Sequence, residues 1–131
     1  MPHHFKKHYT RDEARALLPK VRRWLDRLAS LRAELQTLET EISKLMAPGC
    51  DVGGPLINRF IFKLLDLREL LLEFRERDIQ IKDIQRGLVD FPAIMDGREV
   101  FLCWEKAEDD VGFWHELETG FAGREPLPEA E

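Results

Sequence analysis

The stretch from Thr10 to Leu45 reads TRDEARALLPKVRRWLDRLASLRAELQTLETEISKL, and it decides the fold. It opens on Thr10-Arg11-Asp12-Glu13, the pattern of a capping box, in which a hydroxyl and a carboxylate satisfy backbone amides where a helix begins. Apolar residues then recur at alternating spacings of four and three, at Leu17, Val21, Trp24, Leu28, Leu31, Leu35, Leu38, Ile42 and Leu45. This heptad seam predicts a long helix that packs against another helix as coiled coils do.

Pro19 conflicts with this pattern because it lacks a backbone N–H. We expect it to kink the helix or to make the first turn a separate segment.

A second helix follows a turn rich in glycine and proline over residues 48–55. Its apolar residues again alternate by three and four, at Ile57, Phe60, Leu64, Leu67, Leu71 and Phe74. A further set widens the apolar face beyond what one neighbouring helix covers, namely Ile61, Leu65, Leu70 and Leu72. Since the linker is short, the two helices form an antiparallel hairpin. We expect the second helix to be covered on another side by the C-terminal region or by a second copy.

Beyond Asp78 the apolar pattern changes to the two-residue alternation of β-strands. The pair Asp96-Gly97 is a strong signal for a hairpin turn between two such strands. Pro92 confines its own strand to an edge or a bulge. A third strand or short turn is predicted at residues 113–116.

Together these patterns predict an α+β fold, mostly α. It consists of a long antiparallel helical hairpin and a small C-terminal antiparallel β cap, over about residues 10–46, 56–77 and 79–117. The first helix outruns the second, so we expect the cap to pack on its N-terminal part. With 131 residues the chain has the length of one domain. We expect residues 1–9 and 125–131 to be flexible.

Charge is unevenly distributed along the chain, whose formal net charge is −5 at pH 7. Residues 1–32 contain nine Lys and Arg against three Asp and Glu, whereas residues 105–131 contain two against nine. Such asymmetry fits a basic arm for nucleic acid or acidic lipid, or an acidic end that packs near the basic helix. We favour the second interpretation and do not expect nucleic-acid binding, because the overall charge is not basic.

The cysteines and the N-terminus bear on location. Cys50 and Cys103 form no CxxC pair, residues 1–9 lack the apolar core of a signal peptide, and no apolar run reaches membrane-spanning length. We therefore expect a cytoplasmic protein with free thiols, no membrane association and no cofactor.

Several short blocks stand in the order that characterises a known family. They are Gly87–Phe91, Leu102-Cys103-Trp104, Trp114-His115-Glu116 and Gly120–Pro126, together with Tyr9–Ala14 and Leu17-Leu18-Pro19 near the start. The sequence thereby resembles the DUF2203 family of prokaryotic proteins over nearly its whole length. The resemblance implies that family's fold, but it implies no function, because the family has no assigned activity.

Five polar residues of the cap form a candidate ligand or anion site: Asp90, Arg98, His115, Glu116 and Arg124. His115 is either a metal ligand or general acid–base partnered by Asp90 or Glu116, or a structural histidine bonded to a backbone carbonyl. Arg124 either grips a carboxylate or phosphate, or pairs with Asp90, Glu105 or Glu116 to pin the C-terminus.

Other reactive residue types give weaker signals. Cys103 lies in an apolar strand pattern, which predicts a packed thiol rather than a nucleophile. His3, His4 and His8 form a loose cluster that we expect to bind metal only weakly. No HExxH or CxxC spacing predicts a metal site, so His115 is the only candidate metal ligand.

Two classes of function stay open. The first is an interaction module in which the helical hairpin forms a homodimer and the cap offers a surface to an unidentified protein partner. The apolar seam, the wide face of the second helix and the charge asymmetry favour it. The second is a small enzyme, or a ligand- or metal-binding protein, with its polar site in the cap. The sequence does not decide whether the protein is an enzyme.

Overall fold

The computed structural model describes residues 3–47, 49 and 54–128. Two helices, α1 (Arg11–Met46) and α2 (Pro55–Glu76), precede a five-stranded antiparallel sheet whose strands lie in sequence order. The strands are β1 (Gln80–Asp83), β2 (Leu88–Met95), β3 (Arg98–Glu105), β4 (Phe113–Glu116) and β5 (Glu125–Pro126), with a single 3₁₀ turn at Phe121–Gly123. The predicted α+β class, with one long helix, is confirmed. Most of the predicted turn between the helices lies outside the described residues.

Helix α1 begins with the predicted capping box. The backbone N–H of Glu13 donates to Thr10 Oγ1 at 3.1 Å, and the N–H of Thr10 donates to Glu13 Oε1 at 2.9 Å. The helix then continues without interruption through Pro19, so the predicted separation of its first turn is wrong. Leu18 and Val21 are buried on either side of the proline, and this packing offsets the hydrogen bond that Pro19 cannot donate.

The two halves of α1 pack against different partners. The N-terminal half buries Ala14, Leu18, Val21, Leu25 and Leu28 in one core with the sheet. The C-terminal half runs antiparallel to α2, since Glu34 pairs with Lys63 at 2.7 Å, whereas Trp24 contacts Phe74 near the other end of α2. The cap therefore covers the overhang of α1, as the helix lengths predicted.

The predicted seam is wrong at two positions of this N-terminal half. Leu18 and Leu25 are buried, whereas Leu17 and Trp24 are only partly buried. The reason is that a broad sheet, rather than a second helix, packs on this part of α1. The face that it covers still includes Val21 and Leu28 but is shifted toward Leu18 and Leu25.

The hairpin of β2 and β3 turns at Asp96-Gly97, as predicted. Both residues have positive φ angles, 51° and 77°, and Met95 pairs with Arg98 across the turn. Pro92 lies where β1 no longer pairs with β2, and its carbonyl accepts from the N–H of Tyr9 at 2.7 Å. In an antiparallel strand the N–H and the C=O of one residue point to the same side. The N–H that Pro92 lacks would therefore also have pointed away from β3, so no hydrogen bond to β3 is lost.

Both terminal segments contact the cap. Tyr9 is buried and donates its hydroxyl to the carbonyl of Arg77 at 2.8 Å. Strand β5 pairs with β4, so the sheet extends beyond the predicted limit at residue 117. A strand of two residues is too short for an alternation of apolar and polar residues to predict it.

The basic helix and the acidic C-terminal region meet within one chain, as expected from the charge distribution. Arg15 Nε lies 2.8 Å from Asp110 Oδ1, and Arg11 lies 3.8 Å from the same carboxylate. Arg22 donates to the carbonyls of Lys106 and Glu108, both at 2.7 Å. Over the described ranges, neither helix is long and apolar enough to cross a membrane.

Two glycines with similar positive φ angles provide a matched pair of substitutions. A Cβ at Gly97 (φ +77°) meets nothing within 4 Å, whereas one at Gly87 (φ +67°) would lie 2.6 Å from the Cβ of Lys106. We expect Gly97→Ala to lower the free energy of unfolding by about 1–2 kcal/mol through backbone strain. Gly87→Ala should cost more because of the added clash. Urea denaturation measures both values, and equal losses would contradict the described packing.

Candidate functional site

The sheet separates its polar side chains onto two faces. Asp90 of β2 pairs with Cys103 of β3, and His115 of β4 pairs with Phe101 two residues earlier on β3. Because side chains alternate along a strand, Asp90, Cys103 and His115 share one face of the sheet. The other face, which carries Val89 and Leu102, packs on α1.

Asp90, Cys103 and His115 form a compact cluster in the interior of the cap. Each is 2% exposed or less, and His115 Nε2 lies 3.0 Å from Asp90 Oδ2. One potential ligand atom from each side chain lies within 4.8 Å of the other two. The second carboxylate oxygen, Asp90 Oδ1, is buried and has no hydrogen-bond partner among the described residues.

A proton is shared between Asp90 and His115. The Nδ1 atom of His115 lies 2.6 Å from the carbonyl oxygen of Glu116, which can only accept, so Nδ1 carries a hydrogen. The contact between Nε2 and Asp90 then requires one more proton, on either partner. Burial raises the pKa of Asp90 above its ordinary value, although the charges of His115 and Lys82 act in the opposite direction.

Cys103 is a neutral thiol in this setting. Burial raises its pKa to about 12, and the negative charge of Asp90 acts in the same direction. The guanidinium of Arg124 lies beside the thiol and opposes the shift only in part. A thiol this buried and this weakly acidic is not an activated nucleophile, in agreement with the packed thiol predicted from its strand pattern.

Arg124 lies on the same face as His115, but its carboxylate partner is Glu108. Two nitrogens of the guanidinium donate to the two oxygens of Glu108 at 3.0 and 2.7 Å. The group also stacks over the rings of Phe113 and Phe121, at 3.8 and 4.3 Å from their centroids. This contact fixes the C-terminal segment to the loop that follows β3.

Arg98 and Glu116 are separate from the buried cluster. Arg98 Nη1 lies 2.6 Å from Glu116 Oε1 in a largely exposed ion pair. Both residues belong to the other face of the sheet, because they alternate with Glu99 and His115. The five predicted site residues therefore fall into three groups: the buried pair of Asp90 and His115, the exposed pair of Arg98 and Glu116, and Arg124, which pairs with Glu108 instead.

The N-terminal histidines gather around Glu99, a residue that the sequence analysis did not single out. Its carboxylate accepts from the backbone amides of His4 and Phe5 at 2.7 and 3.0 Å, and from His8 Nε2 at 2.7 Å. Burial acts to raise the pKa of Glu99, but the hydrogen bonds from His8 and the two amides lower it to about 2. His3, His8 and Glu99 form a second group with metal-compatible spacing, but it is partly exposed.

The sequence did contain a signal for Cys103. A two-residue turn at Asp96-Gly97 fixes the register of its flanking strands, and this register places position 103 opposite position 90. The partners of Arg124 and Glu99 had no such signal, because they are set by tertiary packing.

The low pKa of Glu99 predicts how acid affects stability. Its pKa falls from the ordinary 4.5 to about 2 on folding, so its stabilisation is complete above pH 4.5 and is lost as pH falls toward 2. We expect Glu99→Gln to be less stable than the wild type at neutral pH, with a difference that narrows below pH 4.5. Denaturant titrations at successive pH values measure it, with exposed Glu118→Gln as control. A difference independent of pH would contradict the assignment.

The burial of Cys103 predicts its reactivity. In a Cys50→Ser background, we expect iodoacetamide to leave the native protein unmodified and to alkylate Cys103 fully once denaturant unfolds it. Mass spectrometry after timed quenching measures the modified fraction. Rapid alkylation of the native protein would show that the thiol is accessible.

Comparison with known protein families matches residues 7–127 to a family described as an uncharacterized conserved protein, DUF2203. No curated protein and no solved structure gives a significant match. The match covers the capping box, the helical hairpin and all three residues of the buried cluster. The resemblance seen in the sequence blocks is thus confirmed, and the chain belongs to the DUF2203 family.

Proposed function

We propose that the protein is an interaction module that forms a homodimer through α2. One observation carries the proposal: of the 22 residues of α2, only Phe74 is buried. Five large apolar side chains of the same helix are between 39% and 66% exposed, namely Ile61, Phe62, Leu64, Leu65 and Leu71. Packing within the chain does not account for five exposed apolar side chains on one helix.

Four of these side chains lie along one side of α2. Leu64 and Leu65 follow Ile61 by three and four positions, and Leu71 follows Leu64 by seven. We call these four residues the outer strip. The inner side of α2 carries Leu67, Leu70 and Phe74, which pack toward the core. Neither α1 nor the sheet therefore covers the outer strip, and contiguous exposed apolar surface of this kind is typical of interaction sites.

A second copy of the chain fits this strip better than a flat or irregular partner. A straight row of Leu and Ile with helical spacing is complementary to itself about a twofold axis. Two hairpins that pair in this way give a coiled-coil-like four-helix bundle. Burial of the exposed half of each such side chain stabilises the assembly by about 1 kcal/mol.

Arg68 is compatible with this arrangement. It is an exposed residue between Leu64 and Leu71, where a charge would oppose burial. A long arginine side chain can lay its aliphatic part over apolar surface and keep its guanidinium at the solvated rim.

We expect the wild type to be dimeric at micromolar concentrations and Leu65→Glu to be monomeric, because a carboxylate at the centre of the outer strip cannot be desolvated without a partner. Sedimentation velocity measures the mass in solution. Ala33→Glu is the matched control: it introduces the same charge at an exposed site of α1, opposite the buried leucines, and it should remain dimeric.

Circular dichroism shows whether each variant keeps its helices. A wild type that stays monomeric at high concentration would contradict the homodimer and favour a different protein as the occupant of the strip. A Leu65→Glu variant that remains dimeric would place the interface elsewhere.

A further inference from the structure

We propose that Asp90, Cys103 and His115 bind a divalent transition metal ion of the zinc type inside the cap. The inference does not depend on dimer formation. A carboxylate, a thiol and an imidazole lie together in the interior of the cap, where apolar side chains would pack without polar partners. Each of the three is 2% exposed or less, and their ligand atoms lie within 4.8 Å of one another. Thiolate and imidazole ligands select zinc-like ions over magnesium and calcium.

The unpartnered oxygen of Asp90 is the first independent observation. Buried polar atoms are almost always hydrogen-bonded, and those that are not call for an explanation. Asp90 Oδ2 takes the contact with His115, whereas Oδ1 is buried with no partner at hydrogen-bond geometry among the described residues, and only the weak donor of the neighbouring Cys103 thiol interacts with this carboxylate besides. A metal ion bound by Oδ1 would satisfy it.

The orientation of His115 is the second observation. Its Nδ1–H donates to the carbonyl of Glu116 at 2.6 Å. Metal-binding histidines hold their second nitrogen in this way, which fixes the ring and leaves the other nitrogen free to bind. In His115 that other nitrogen, Nε2, points to the Asp90 carboxylate, so it faces the position of a metal ion bound by that carboxylate.

The charges of the cluster balance with a divalent ion. A thiolate and a carboxylate carry two negative charges and the neutral imidazole none, so M²⁺ leaves no net charge in the interior. Binding forms metal–sulfur, metal–oxygen and metal–nitrogen bonds. It releases to solvent the thiol proton of Cys103 and the proton shared by Asp90 and His115, so affinity rises with pH.

Two cations face the cluster from other elements. Lys82 of β1 lies with Nζ 4.0 Å from Asp90 Oδ2, and Arg124 lies beside Cys103. Lys82 is partly exposed to solvent, and Arg124 is already paired with Glu108. Both therefore leave the negative charges of the ligands available to the metal ion.

The distances require only small side-chain movements. Zinc lies about 2.0–2.3 Å from its ligands, so tetrahedral ligand atoms stand about 3.5 Å apart. The Asp90–His115 contact of 3.0 Å must lengthen slightly and the remaining distances, at most 4.8 Å, must shorten. Three protein ligands leave a fourth position, as in zinc sites that bind water or substrate.

Cobalt titration tests the proposal, because Co²⁺ substitutes for zinc and a cobalt–thiolate bond gives a charge-transfer band. The full chain without a tag is used, with Cys50→Ser so that Cys103 is the only thiol. We expect one equivalent of Co²⁺ to give the band, Zn²⁺ to displace it, and Zn²⁺ to raise the melting temperature. Cys103→Ser should abolish the band, and Asp90→Asn should weaken binding more than about tenfold.

The His3, His8 and Glu99 group is the internal control, because it contains no sulfur. His8→Ala should leave the thiolate band unchanged even if it lowers total metal uptake. Absence of the band from the folded Cys50→Ser protein would overturn the proposal and leave the cluster as a metal-free hydrogen-bonded network. Should Cys103→Ser fail to fold, Asp90→Asn decides, and unchanged affinity in that variant would also overturn it.

Discussion

The packing of the N-terminal half of α1 against one face of the sheet is the contact on which the rest of the structure depends. Ala14, Val21 and Leu28 of α1 are completely buried there. The contact leaves the C-terminal half of α1 to pair with α2, and it turns the opposite face of the sheet toward the terminal segments. Both the exposed surface of α2 and the buried polar cluster result from this division.

The two halves of the molecule therefore place their functional candidates in different physical environments. The outer strip is apolar and exposed, which suits association of surfaces. The cluster of Asp90, Cys103 and His115 is polar and buried, which suits the binding of a small charged species. The strip lies on α2 and the cluster on β2, β3 and β4, so different substitutions test the two regions.

Much of the fold could be predicted from local sequence. The capping box, the seam of α1, the alternation after Asp78 and the Asp96-Gly97 turn each depend on neighbouring residues, and each gave the correct element. The buried face of α1 could not be predicted from local sequence in the same way, because a sheet covers a wider face of a helix than a second helix does. Leu18 and Leu25 are buried for this reason.

The candidate site was predicted in part. Asp90 and His115 meet, but consecutive residues of a strand point to opposite faces, so Glu116 could not join His115. That rule was available from the sequence, as was the register that places Cys103 opposite Asp90. The pairing of Arg124 with Glu108, and of His8 with Glu99 across 91 positions, depends on how the termini fold back, which no local pattern encodes.

Helix α1 and the strands that cover it are far apart in the sequence, which has a consequence for synthesis. The ribosome completes α1 well before β2 and β3, which supply the surface that covers Leu18, Val21 and Leu25. At 5–20 residues per second, this half of the helix stays uncovered for about 3–12 s. The β2–β3 hairpin itself closes in about 1–10 μs, so translation rather than folding sets the delay. The nascent chain therefore presents an apolar helix face to solvent for seconds before the strands that cover it exist.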